Sequence, residues 1–185
     1  MKYVRKILLL VFLCLTACTG KKDPDQPIHA RITIQDYGTV DLELYPDIAP
    51  ISVENFVKLA ENGFYDGNCF HRIIDGFMIQ GGADLNGTVE RIKGEFEANG
   101  FRNDLKHTEG VISMARAKDP DSASSQFFIM VGDAPWLDGQ YAAFGKVTKG
   151  LEIVKKIAAD ARPVDDNGSI AEADRPIIES IEIIK

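Results

Sequence analysis

Between Arg72 and Gln80 the chain places one guanidinium, one amide and the two large apolar side chains Phe77 and Met78. That mixture is wrong for a plain core strand, because a guanidinium is seldom fully buried without a partner. It suits the wall of a small-ligand site, apolar except at a few donor points. Other chemistries lack their residues. There is no GxGxxG, no Walker-type loop, no CxxC and no nucleophile elbow. His29, His71 and His107 lack the i, i+4 spacing of a zinc helix, so neither a metal nor a cofactor is expected. Asp119, Asp121, Asp165 and Asp166 stand among Pro, Gly and Asn and read as turn residues. Asn86-Gly87-Thr88 and Asn167-Gly168-Ser169 read as Asn-Gly turns. Cys69 reads as a buried free thiol, with only His71 nearby to lower its pKa. What remains is chemistry whose barrier falls through binding and electrostatics, without proton transfer or covalent attack.

The elements that must position these residues are short. Ala30–Gln35 and Thr39–Tyr45 alternate around a turn at Asp36-Tyr37-Gly38, a hairpin signal. Pro50–Asn62 keeps a helical period, with Ser52 as its expected N-cap and Gly63 after its end. Cys69–Ile74 and Phe77–Gln80 read as strands broken at Asp75-Gly76. Gly81–Gly110 is long, polar and aperiodic. Val111–Ala115, Phe127–Val131 and Ala142–Val147 read as strands, Leu151–Ala159 as a helix and Ile177–Ile184 as a closing strand. Strand alternation puts Phe127 and Phe128 on opposite faces, so one of them is core. Many strands, two helices and no regular βα alternation predict a mainly β architecture: an antiparallel barrel or sandwich with helices at its ends.

The N-terminal residues stand apart. Lys2, Arg5 and Lys6 precede the apolar run Ile7–Leu15, which falls short of the about 20 residues that span a bilayer. A basic start and a short apolar run read as a secretory signal. Leu15-Thr16-Ala17-Cys18 resembles the bacterial lipobox, which implies a signal peptide over 1–17, lipidation at Cys18 and a tether over 18–29. Membrane anchorage would then come from the acyl chains, two or more of which hold stably. Thr19 after Cys18 points to the outer rather than the inner membrane of the cell envelope. At an upper limit of about 3.3–3.6 Å per residue, Thr19–Pro27 keeps the body within about 30–40 Å of the membrane. The net charge of −7 becomes more negative once the leader's cations are removed. Nucleic acid is therefore not expected as a partner, since that affinity comes largely from Lys and Arg on phosphates.

Residues 30–185 resemble the cyclophilins, which are peptidyl-prolyl cis-trans isomerases. Phe70-His71-Arg72-Ile73-Ile74 with Gly76-Phe77-Met78-Ile79-Gln80-Gly81-Gly82 resembles the family signature. Three further blocks follow in the family's order: Gly110–Arg116, Ser124–Ile129, and Trp136–Tyr141 with Phe144–Val147. The resemblance implies a closed eight-stranded antiparallel β-barrel capped by two α-helices. It implies Arg72 as the catalytic cation, with Phe77 and Gln80 beside it. Met78, Phe128 and Leu137 would line the slot for a substrate proline together with Phe77. Gln126 would add a polar contact, the Ala115 backbone would pair with the substrate chain, Tyr141 would pack and donate a hydrogen bond, and Trp136 would stand at the rim. A Trp there goes with sensitivity to cyclosporin-type cyclic peptides. Tyr141 stands where many members have His, although bacterial members often vary there, and Asp75 replaces a common Pro. Arg116, in a segment of the form bacterial members often carry, replaces an Asn common in eukaryotic members and is expected to alter preference for the residue before proline. The expected partners are proline-containing polypeptides of the cell envelope, met by a monomer without cofactor or metal. A competing reading is a module that captures proline-containing segments without turnover, as a chaperone or adaptor.

Overall fold

Alternating burial builds the sheet. In β1 (Ile28–Ile34) the side chains of Ala30, Ile32 and Ile34 are buried, and in β2 (Gly38–Leu44) those of Val40, Leu42 and Leu44. The residues between them face outward, as a half-buried strand requires. The protein, described here by a computed structural model over residues 26–184, begins its first strand at Ile28. That is two residues earlier than the alternation suggests. The expected signal peptide, Cys18 and most of the tether lie outside the described residues.

The other strands are β3 (Phe70–Ile74), β4 (Met78–Gly81), β5 (Val111–Met114), β6 (Phe127–Met130), β7 (Ala143–Lys149) and β8 (Ile178–Ile184). They form one antiparallel sheet in the order β3-β4-β6-β5-β7-β2-β1-β8. The sheet curls until its edges meet. Cys69 bridges Ile177, and backbone bonds Ile178 N to Asn68 O (2.8 Å) and Phe70 N to Pro176 O (2.9 Å) close the seam. The expected eight-stranded barrel is thus present as a curled half-barrel joined by a short seam rather than a full ladder. Cys69 is only half-buried at this seam, less than its apolar neighbours suggest.

Two helices cover the ends. Helix α1 (Pro50–Glu61) buries Val53, Phe56 and Ala60, and Phe56 meets the rings of Tyr65, Phe127 and Phe144 at 5.3–5.4 Å. Helix α2 (Leu151–Asp160) buries Val154, Ile157 and Ala158. It starts at Gly150, with φ of 82°, where an added Cβ would lie 2.5 Å from Thr39 O. Only glycine fits so close an approach in that conformation.

The start of α1 corrects the sequence reading. The N-cap is Ala49, and Ser52 lies inside the first turn, fully buried. Ala49 offers no side-chain acceptor. The buried carboxylate of Glu95 takes that role from the long loop, accepting Ile51 N (2.9 Å), Ser52 N (2.7 Å) and Ser52 Oγ (2.6 Å). Amides of the first turn have no partner within the helix and need one from elsewhere.

Candidate functional site

The site is built on one face of four neighbouring strands, β3, β4, β6 and β5. Arg72 pairs in register with Gln80, Gln80 with Phe128, and Phe128 with Ser113. The adjacent row, Ile73, Ile79, Ile129 and Ile112, points inward and is fully buried. Period-two alternation therefore turns one strand set into both a barrel core and a binding floor. Phe127 and Phe128 divide as expected: Phe127 joins the main core and Phe128 a second, smaller apolar cluster with Met78, Met130, Leu137 and Ala143.

A cavity of about 200 Å³ lies over this floor, lined by Arg72, Phe77, Met78, Gln80, Ala115, Arg116, Phe128, Leu137 and Tyr141. A one-turn 3-10 helix, Pro135–Leu137, turns Leu137 inward and leaves Trp136 65% exposed. The Trp136 ring lies 5.9 Å from Phe77 at the mouth. Tyr141 stands edge-on to Phe128 at 5.9 Å. Gln126 does not line the cavity but accepts a bond from Gln80 Nε2 at 2.9 Å. The residues singled out for the isomerase site, Arg72, Phe77, Met78, Gln80, Ala115, Phe128, Leu137 and Tyr141, thus come together, with Gln126 and Trp136 at the margin.

Arg72 is held by neutral acceptors. Its Nη1 donates to Gln80 Oε1 at 3.1 Å and its Nε to the carbonyl of Asn167 at 2.7 Å. Among the described residues it makes no salt bridge, and its Nη2 has no hydrogen-bond partner. A guanidinium held at Nε and Nη1 is fixed in plane while one donor edge remains for a ligand. The Asn167 segment is placed by backbone bonds from Ile73 N to Gly168 O (2.8 Å) and from Ile170 N to His71 O (2.9 Å). The Asp165 carboxylate, accepting the amides of Asn167 and Ser169, shapes its turn and is held below the usual carboxylate range by those bonds. The sequence shows this segment as a turn; its service to Arg72 runs through a main-chain carbonyl, which leaves no side-chain signal.

Behind Phe128 lies a second feature that sequence reasoning did not find. His107, 1% exposed, stacks on Phe128 at 6.1 Å. Its Nδ1 is 3.1 Å from Asp138 Oδ1 and its Nε2 3.1 Å from Ser113 Oγ. Burial pushes the ring's pKa down, against the upward pull of Asp138. A neutral ring with its proton on Nδ1 satisfies both contacts, donating to the carboxylate and accepting from the Ser113 hydroxyl. Burial raises the Asp138 carboxyl, but the amide and ring of His107, with Lys106, outweigh it and hold the pKa low. The composition is that of a hydrolytic triad, yet Ser113 is fully buried, with no route to a substrate. The chain instead supports Phe128 from below.

The family model described as cyclophilin type peptidyl-prolyl cis-trans isomerase matches residues 29–184. A peptidyl-prolyl cis-trans isomerase of Acinetobacter baylyi is 46% identical over 65% of this chain and 67% of its own. Peptidyl-prolyl cis-trans isomerase A of Dickeya dadantii is 41% identical over 81% of each chain. Among solved structures, a cyclophilin-type peptidyl-prolyl cis-trans isomerase of Cryptosporidium parvum superposes with a TM-score of 0.73 at 32% identity, covering 86% of this chain and 98% of that one. The same Cryptosporidium enzyme has been solved in the presence of the dipeptide Ala-Pro, and it superposes with a TM-score of 0.72. The expectation from the four sequence blocks holds: the chain belongs to the cyclophilin-type peptidyl-prolyl cis-trans isomerases and is an enzyme of that activity.

Proposed function

We propose that the protein isomerises X–Pro bonds of polypeptides in a bacterial cell envelope, aiding their folding, while anchored to the membrane through lipid on Cys18. Peptide-bond rotation meets a barrier of about 18–20 kcal/mol from amide resonance. The two X–Pro isomers differ by only about 0.5–1 kcal/mol, so the need is for rate and no energy source is required. In the twisted state resonance is lost and the proline nitrogen regains a lone pair. The planar nitrogen is a poor acceptor and the twisted one a good acceptor, so a donor aimed at it binds the transition state selectively. Arg72 is that donor. Phe77, Met78, Phe128 and Leu137 hold the proline ring and exclude water that would favour the planar amide. Gln80 orients Arg72, Gln126 orients Gln80, and Tyr141 walls the slot. The Ala115 N–H is already bonded to Gln126 O, which leaves the Ala115 carbonyl as the backbone group for the substrate. Trp136 offers an exposed indole to a cyclosporin-type ligand at the rim.

One observation carries the reading: a guanidinium without a carboxylate partner among the described residues, clamped by Gln80 and Asn167 beside a cavity walled by Phe77, Met78, Phe128 and Leu137. A protease-coupled assay on an X–Pro peptide tests it. Arg72→Ala is expected to lower kcat/KM by about 10²–10³-fold, the usual loss for one transition-state donor, while retaining peptide affinity. Equal rates for variant and wild type would reject the role of Arg72 and favour a capture module. Mass spectrometry of the mature N-terminus tests the anchor: a free, unacylated N-terminus at any other residue would refute it.

A further inference from the structure

Arg116 and Tyr141 are 25 positions apart in the sequence, and in the folded chain they touch. The Arg116 guanidinium carbon lies 4.6 Å from the centroid of the Tyr141 ring and 4.9 Å from that of Phe96, within cation–π range of both. Its Nε and Nη2 fork onto the carbonyl of Gln140 at 3.0 and 2.9 Å, the residue before Tyr141. Its Nη1 donates to the carbonyls of Ala117 and Lys118 in its own loop. Four of five donors are thus spent within the protein. Phe96 is 1% exposed and follows Glu95, the carboxylate tied to helix α1. Tyr141 in turn meets Phe128 on the pocket floor.

We propose that Arg116 is a positioning residue for isomerisation: its guanidinium, held by the Gln140 carbonyl and packed on both the buried Phe96 ring and the Tyr141 ring, fixes Tyr141 and so sets the width of the proline slot. The proposal rests on the slot being the proline site. Arg116 acts through Tyr141, and its planar fork suits the task where a lysine point charge does not. Tyr141 also meets Phe128 edge-on, and the Arg116 fork is the contact that ties its ring to the Gln140 carbonyl.

The experiment is a double-mutant cycle on kcat/KM for an X–Pro peptide, using Arg116→Ala, Tyr141→Leu and the double variant, with a thermal melt of each. Arg116→Ala is expected to lose about five- to tenfold in kcat/KM, mostly in KM, the size of a partly buried cation–π contact. In the Tyr141→Leu background the same change is expected to cost less than about twofold, because nothing is left to position. Arg116→Lys, which keeps the charge over the ring but cannot fork onto Gln140, should fall between. Equal losses in the two backgrounds would overturn the proposal, as would a lowered melting temperature with KM unchanged. A second readout is independent of turnover: the NMR ring signals of Tyr141 should move in Arg116→Ala, and unmoved signals also overturn it. A wild-type protein inactive on X–Pro peptides whose Tyr141 signals still move would instead sink the functional reading and leave the clamp standing.

Discussion

Glu95 holds the long irregular loop to helix α1, and its removal should be costly in a calculable way. Its carboxylate accepts two first-turn amides and the Ser52 hydroxyl while fully buried itself. In Glu95→Ala the amide of Ile51, a partly exposed residue, can turn to water. Ser52 is fully buried, so its amide and hydroxyl cannot. An unsatisfied buried donor costs about 1–3 kcal/mol, and two remain. Lost capping and dipole complementarity add about 1 kcal/mol. Relief from burying a charge offsets part of this. The net loss is about 3–4 kcal/mol, or about 6–16 °C in melting temperature for a chain of this size. Glu95→Gln keeps the shape but turns an amide NH₂ toward a donor, so about half the loss is expected. Ser52→Ala, which leaves both amides bonded, should cost about 1 kcal/mol. Thermal and denaturant melts followed by circular dichroism decide the matter. A Glu95→Ala protein within about 1 kcal/mol of wild type would refute the trans-cap reasoning, since Glu95 is the acceptor for both the amide and the hydroxyl of buried Ser52.

Further outcomes follow from the same geometry. Burial holds His107 below the usual histidine range, and burial with Arg175 does the same to His71. The unfolded chain then binds protons that the folded one excludes. Stability should be full above pH 6.5 and fall as the pH drops below it toward the folded pKa values. Denaturant midpoints that agree at pH 7.5 and pH 5.5 would contradict this, and the depressed carboxylates cannot mimic it because they act only below their ordinary value of 3.8. Gln80→Leu frees Arg72 Nη1 while leaving its bond to Asn167, so kcat should drop about tenfold with KM little changed, read from steady-state kinetics. The slot carries two guanidiniums and no carboxylate in a chain of net charge −7. Peptides with Glu before proline should outpace those with Lys by a few-fold at low salt, and a gap that persists unchanged at high salt would speak against the electrostatic cause.

How much was legible in the sequence depends on which atoms carry the signal. Strand alternation in Ile28–Ile34 and Gly38–Leu44, and the split of Phe127 from Phe128, follow from side chains and were readable. So was the gathering of Arg72, Phe77, Met78 and Gln80, because two adjacent strands in register must bring them together. The N-cap was misplaced at Ser52 because the acceptor is 43 positions away, at Glu95; local pattern rules see only nearby caps. Asn167 escaped because it works through its carbonyl. His107, Asp138 and Ser113 escaped because three polar residues far apart in sequence show their relation only when the barrel curls. Arg116 and Tyr141 each stand out in the sequence, but their contact does not, since the loops that carry them have no period from which to infer proximity.

The described site also restricts how its chemistry can respond to pH. The charged groups lining the slot are two guanidiniums, which act as hydrogen-bond donors. Rotation of the amide needs no proton to move, and His107, a buried base, is sealed behind Phe128 between Asp138 and Ser113. kcat/KM should therefore be flat from pH 7 to pH 9, even though stability declines below pH 6.5. Activity lost at low pH should track unfolding and return on raising the pH. A bell-shaped profile across the range where circular dichroism shows a folded protein would mean that a titrating group takes part in the reaction. Hydrogen-bond donation by Arg72 without proton transfer would then be the wrong account of catalysis.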